Sequence, residues 1–177
     1  MTIQPATVSP LREVPGSIPR PCYVGRAAPE RYTGDDVQPP EIIEKMRVAG
    51  RIAAQAMHAA AEIISPGVTT DDLDQVVHEF LIDHGAYPST LGYRGFPKSC
   101  CTSVNEVICH GIPDDRMLQD GDVCDIDVTI YLDGFHGDTN ATFCAGEVDE
   151  TSRNLIRVTR ECTELGIAQV RPGNKVI

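Results

Sequence analysis

No stretch of this sequence approaches the ~18 consecutive apolar residues that a membrane-spanning helix needs. The first residues, "MTIQPATVSP", have neither a basic start nor an apolar run, so no secretory signal is expected. Basic residues are scarce: 15 Lys and Arg stand against 26 Asp and Glu, a formal net charge of -11. Such a surface repels nucleic acid and anionic membranes, and neither is expected as a broad-surface partner. Seven cysteines are present, but the number is odd and no two have the C-x-x-C spacing. That argues against a disulfide framework and against a structural zinc knuckle. Reduced, mostly buried thiols in a cytoplasmic protein are the plainer reading.

What is present begins with proline. Pro5, Pro10, Pro15, Pro19, Pro21, Pro29, Pro39 and Pro40 punctuate the first 40 residues, which show no helical or strand periodicity. Residues 1–40 therefore read as a flexible, solvated extension. A docking arm whose Tyr23 meets another protein is the sharper alternative. A folded domain is expected over residues 41–177.

Within it, Ile42, Met46, Ala49, Ala53, Ala56, Ala60 and Ile63 recur at spacings of three and four, which predicts an amphipathic helix closed by "SPG". A second helix starts near Thr69 or Thr70, with Asp71 and Asp72 at its positive end. It buries Leu73, Val76, Val77, Phe80 and Leu81 and closes at Gly85. "STLGYRGFPKS" is a glycine-rich loop of the kind that shapes pockets. "CCTSVNEVICHGIP" is a short strand running into a turn, and a last helix is expected from about Glu150 to Val170.

The stretch "DVTIYLDGFHGDTNATF" carries an Asp-Gly pair between two strand-like runs, a strong hairpin signal. With Asp133 and Gly134 as the turn, Thr129 faces Asp138. Asp127 then shares that face as a diagonal neighbour of Asp138, at about 7–8 Å between backbones. Asp125 and His136 fall on the same side. Like charges this close resist joint ionisation, and a shared divalent cation would relieve them. A merely wet acidic face is the competing reading. His110, in "CHGIP", stands where an exposed imidazole could act.

The runs "GFPKS", "NEV", "CHGIP" and "HGDT", in this order, resemble the N-terminal half of type I methionine aminopeptidases. The similarity covers Pro40 to the C-terminus. It implies an α+β (α/β) pita-bread fold, with an antiparallel sheet covered by helices. It also implies metal-dependent removal of the initiator methionine from nascent chains when the next residue is small. By the same resemblance, Asp127 chelates one metal and Asp138 bridges two, the ions being cobalt, manganese, iron(II) or zinc. His110 contacts substrate and supports the transition state. Thr90, Tyr93, Phe96 and Cys101 line the methionine pocket, and His136 is not a ligand. The Pro-rich extension resembles those that engage the ribosome, and a monomer is implied. The family's remaining ligands, a histidine and two glutamates, belong to a second half. The chain is thus expected to be a truncated N-terminal part that is inactive alone. A non-catalytic module of the same shape and an X-Pro aminopeptidase are the rival readings.

Overall fold

A computed structural model describes residues 6–26 and 31–175. Pro5, Pro29 and the final Ile177 lie outside the described residues. Helix α1 spans Pro40–Ala61 and starts on a proline, whose missing N–H costs nothing in a first turn. Helix α2 spans Thr70–Asp83 and opens with a capping box: the Thr69 hydroxyl accepts from the Asp72 amide, and the Asp72 carboxylate accepts from the Thr69 amide. Gly85, at φ 68°, turns the chain out of α2.

The sheet is built around one long strand. Strands β1 (Tyr87–Pro88), β2 (Cys101–Val104), β3 (Val123–Leu132) and β4 (Phe135–Cys144) are all antiparallel to their neighbours. β4 pairs with the whole of β3. On the other edge of β3, β2 pairs with Cys124–Asp127 and β1 with Ile130 and Tyr131. The loop from Ser89 to Cys100 therefore leaves and rejoins the sheet beside Thr129 and Asp127. β1 is too short to carry a period-two pattern, so nothing in the residues announces it. Helix α3 follows at Glu150–Ala168, close to the expected bounds.

Side chains alternate along β3. Cys124, Ile126, Val128 and Ile130 are fully buried against α1 and α2, while Asp125, Asp127, Thr129 and Tyr131 face the other way. α1 meets the sheet through Ala49, Ala53, Ala56, Met57 and Ala60. Three members of the expected stripe do not join, and the first of them, Ile42, is half-buried outside the core cluster. Ile63 lies past the helix end, where its period stops, and Met46 stands one turn before the first contact; both are exposed. In α2, Asp74 and His78 are buried beside the apolar stripe. No residue of α3 is buried, and Leu155, Val158, Leu165 and Ile167 are exposed along it. Cys100, Cys101 and Cys124 are buried, whereas Cys22, Cys109, Cys144 and Cys162 are exposed, so the expectation of mostly buried thiols does not hold.

The solvated extension expected before α1 is also corrected over part of its length. The Arg12 guanidinium reaches the fully buried Asp74 at 2.8 Å. Ile18 packs with Tyr87 and Leu91, and Tyr23 is buried against its own chain rather than offered to a partner. A buried carboxylate in need of a cation, together with an aromatic surface in need of cover, holds this segment down.

Gly137 in β4 lies against α1. A Cβ there would stand 2.4 Å from the Ala49 carbonyl carbon. Gly137→Ala should therefore lower the unfolding free energy by about 3 kcal/mol, as overpacking against backbone does. Urea denaturation measures this, and an unmoved midpoint would contradict the close helix–strand approach.

Candidate functional site

The hairpin turn has φ 50° at Asp133 and φ 93° at Gly134. Left-handed backbone at both positions marks a type I′ turn, whose twist suits antiparallel strands. It fixes the register: Thr129 pairs with Asp138 and Asp127 with Asn140. The Thr129 hydroxyl donates to Asp138 at 2.8 Å, holding one carboxylate oxygen in place. The Thr142 hydroxyl donates to Asp125 at 2.9 Å. Asp127 is half-buried, and its pKa is pushed up to about 6. Burial is the largest cause, followed by the charges of Asp138 and Asp125; His110 opposes them, and a hydrogen bond to Asp138 adds to the rise.

Paired carboxylates, one of them reluctant to ionise, are the oxygen donors that hard and borderline divalent cations prefer. Asp127 and Asp138 fit as part of such a site. No group of three or more His, Cys, Asp or Glu side chains among the described residues is arranged to hold a metal ion. Asp125 already has one oxygen engaged by Thr142. His136 shares the acidic face, as its parity predicts, but its Nδ1 is hydrogen-bonded to the Ser89 hydroxyl at 2.9 Å. Its ring lies 5.0 Å from that of Tyr131.

His110 is exposed, with φ 56°. The loop that carries it hangs from β2 at Gly111. The Gly111 carbonyl accepts from the Thr102 amide at 2.9 Å, and its own amide donates to the Ser103 hydroxyl at 3.2 Å. A Cβ on Gly111 would lie 2.1 Å from the Thr102 oxygen, so only glycine permits this approach. His110 is thereby close enough to Asp127 for its charge to be felt there.

Cys101 pairs with Asp127 across β2 and β3 and is 4% exposed. Burial pushes its thiol up to about 12, with Asp127 and Asp138 adding to the shift, so it stays neutral. Thr90 is half-buried and donates to the Lys98 carbonyl at 2.9 Å. Gly92, at φ 82°, and the hydrogen bond that the Phe96 amide donates to the Tyr93 carbonyl tighten the loop between them. Thr90 and Tyr93 line one groove with Thr129; Phe96, Cys101 and His110 do not line it. The structure thus brings Asp127, Asp138 and Cys101 together in the middle of the sheet, with His110 on the loop tied to β2 and Thr90 and Tyr93 on the loop after β1.

Sequence reasoning missed the support beneath this loop. Asp74 accepts from the amides of Ser99 at 2.6 Å and Cys100 at 3.2 Å, immediately before Cys101. Lys98 is fully buried and pairs with Asp71 and with the Ser9 hydroxyl. Burial raises the Asp71 pKa, but hydrogen bonds from Lys98 and Ser9 and the charges of Lys98 and Arg12 outweigh it and hold the carboxyl below its usual range. His78 bridges the Ser99 hydroxyl at 2.8 Å and the Glu13 carbonyl at 3.0 Å. The spacing of Asp74 and His78, one helical turn apart beside an apolar stripe, was the available signal. Thr129 was legible too, as the residue opposite Asp138.

A family model described as metallopeptidase family M24 matches residues 44–176. The chain is 59% identical to methionine aminopeptidase 2 of Mycobacterium tuberculosis over 171 residues, covering 97% of this chain and 60% of that protein. It is 52% identical to methionine aminopeptidase 1D, chloroplastic/mitochondrial, of Arabidopsis thaliana, covering 97% of this chain and 49% of that one. The chain therefore spans between 49% and 60% of the length of these two relatives. Among solved structures, methionine aminopeptidase from Rickettsia prowazekii superposes with a TM-score of 0.78 at 44% identity, over 79% of this chain and 56% of that one. Aminopeptidase P of Escherichia coli gives a TM-score of 0.66 at 27% identity, over 77% of this chain and 30% of that one.

Proposed function

Because this chain belongs to metallopeptidase family M24, we propose that it supplies part of the site of a methionine aminopeptidase that removes the N-terminal methionine from nascent chains when the second residue is small. Its antiparallel sheet with covering helices is the pita-bread fold of the solved relatives. The observation that carries the reading is the placement of Asp127 and Asp138 on one face, beside Cys101.

Asp127 and Asp138 are the residues that would hold divalent ions, a dinuclear pair in the finer reading, of cobalt, manganese, iron(II) or zinc. When bound, such ions polarise a scissile carbonyl and acidify water. The chain's own residues do the rest. Thr129 fixes Asp138 by hydrogen bonding. His110, presented on the loop tied to β2, donates a hydrogen bond to the reacting amide and stabilises charge as it develops there. Cys101, neutral and apolar in character, with Thr90, Tyr93 and Phe96 on the adjoining loop, gives a thioether side chain a soft surface. Nascent N-termini are the proposed partners, met by a cytoplasmic monomer, with the Pro-rich segment before α1 facing the ribosome. No helix among the described residues is long and apolar enough to cross a membrane.

The test uses the full-length protein with manganese or cobalt and the peptides Met-Ala-Ser, Met-Leu-Ser and Ala-Pro-Ser. Methionine should be released from Met-Ala-Ser with a kcat/KM about 100-fold above that for Met-Leu-Ser, since rejecting extra methylenes yields discrimination of that order. Chelation should abolish it. Cleavage of Ala-Pro-Ser without methionine release would replace this reading with the X-Pro one.

A further inference from the structure

Pro21, Cys22 and Tyr23 precede the region that matches the family model, which begins at residue 44. They nevertheless complete a groove of about 570 Å³ beside the candidate site. Pro21, Tyr23 and Tyr32 contribute to its lining from the N-terminal segment, and Thr90, Tyr93 and His136 from the body. Tyr23 is 6% exposed and held at three points. Its hydroxyl donates to the Ser89 carbonyl at 2.6 Å. Its ring meets Tyr93 edge-on, with centroids 5.2 Å apart and planes at 86°. It lies nearly parallel to His136 at 6.2 Å. The Ser89 amide in turn donates to the Thr129 carbonyl at 2.8 Å, and Thr129 holds Asp138.

The groove is continuous with the proposed methionine pocket, because Thr90 and Tyr93 belong to both. Its walls are aromatic and uncharged. Burial pushes the Tyr23 phenol up to about 12. Neutral aromatic walls suit an extended peptide backbone with small side chains, and they offer a nucleic acid no cation. We propose that this groove takes the residues that follow the N-terminal methionine of the substrate, and that Tyr23 is a specificity-determining residue within it. The proposal rests on the aminopeptidase reading above. It assigns to the segment before the family region a share in substrate selection.

The experiment compares the full-length protein with its Tyr23→Ala and Tyr23→Phe variants on Met-Ala-amide and on the hexapeptide Met-Ala-Ser-Gly-Ala-Lys. Tyr23→Ala should cut kcat/KM for the hexapeptide about tenfold, mainly through KM, as loss of one aromatic contact would. Met-Ala-amide should lose about twofold. Tyr23→Phe, which keeps the ring and guards against a folding defect, should stay within about twofold on both. Equal losses on the two substrates, or none on either, overturn the proposal. A polarisation assay with the hexapeptide labelled at its C-terminus, run with chelator present, separates the two readings. Weaker binding by Tyr23→Ala supports the groove even where no methionine is released, and unchanged binding overturns it even where methionine is. A dimer in sedimentation that Tyr23→Ala dissolves would give the groove to a second copy of the chain, and that also overturns the proposal.

Discussion

Asp138→Ala in the full-length protein should abolish methionine release, lowering kcat/KM by at least about a thousandfold, or roughly 4 kcal/mol of transition-state stabilisation. The size follows from where Asp138 stands. It faces Thr129 across the hairpin, within hydrogen-bonding reach of Asp127, on the face turned away from the apolar core. No other His, Cys, Asp or Glu among the described residues joins them in a group of three or more that could hold a metal ion. Removing one of two carboxylates leaves the described part of the site with a single donor. Calorimetric titration with manganese should show the affinity lost together with turnover. Thr129→Val keeps both carboxylates and removes only the hydrogen bond that orients Asp138, so it should cost about 10–100-fold, the range of an outer partner to a metal ligand. Equal effects of the two substitutions would mean that Asp138 is not a ligand.

His110→Ala is the second large effect expected. Turnover should fall about 100-fold while KM changes little, because the imidazole is proposed to act on the transition state more than on ground-state binding. The local backbone sharpens this expectation. His110 sits at φ 56° on a loop whose next residue, Gly111, admits no side chain against β2. The loop is thus built to hold one exposed side chain in one place. His110→Gln, which keeps a hydrogen-bond donor, should recover part of kcat. Steady-state kinetics on Met-Ala-Ser distinguishes the cases: a rise in KM with kcat unchanged would make His110 a binding residue only.

The hairpin was legible in advance for a physical reason. A side-chain period of two and an Asp-Gly turn leave one register, and that register places Asp127 and Asp138 together. Capping of α2 was legible from Thr69 and Asp72 for similarly local reasons. The N-terminal segment was not. Arg12 and Asp74 are 62 positions apart, and nothing periodic near Arg12 announces a buried partner so far along the chain. Tyr23 could be read as a contact residue but not as one tied to Ser89 of its own chain. β1 has only two residues and carries no pattern. His136 shows the limit of parity: it occupies the acidic face as counted, yet Ser89, supplied by the short β1 turn, takes its Nδ1. Parity gives the face of a side chain, and only packing gives its partner.

The central claim, that the hairpin face bearing Asp127 and Asp138 is part of a metal centre, is tested most directly by diffraction from full-length protein crystallised with manganese. An anomalous peak should lie within about 2.0–2.6 Å of carboxylate oxygens of both Asp127 and Asp138, the range for oxygen ligands to divalent cations. It should vanish in Asp138→Ala crystals grown in the same way. Manganese bound elsewhere, with this face occupied only by water, would contradict the account.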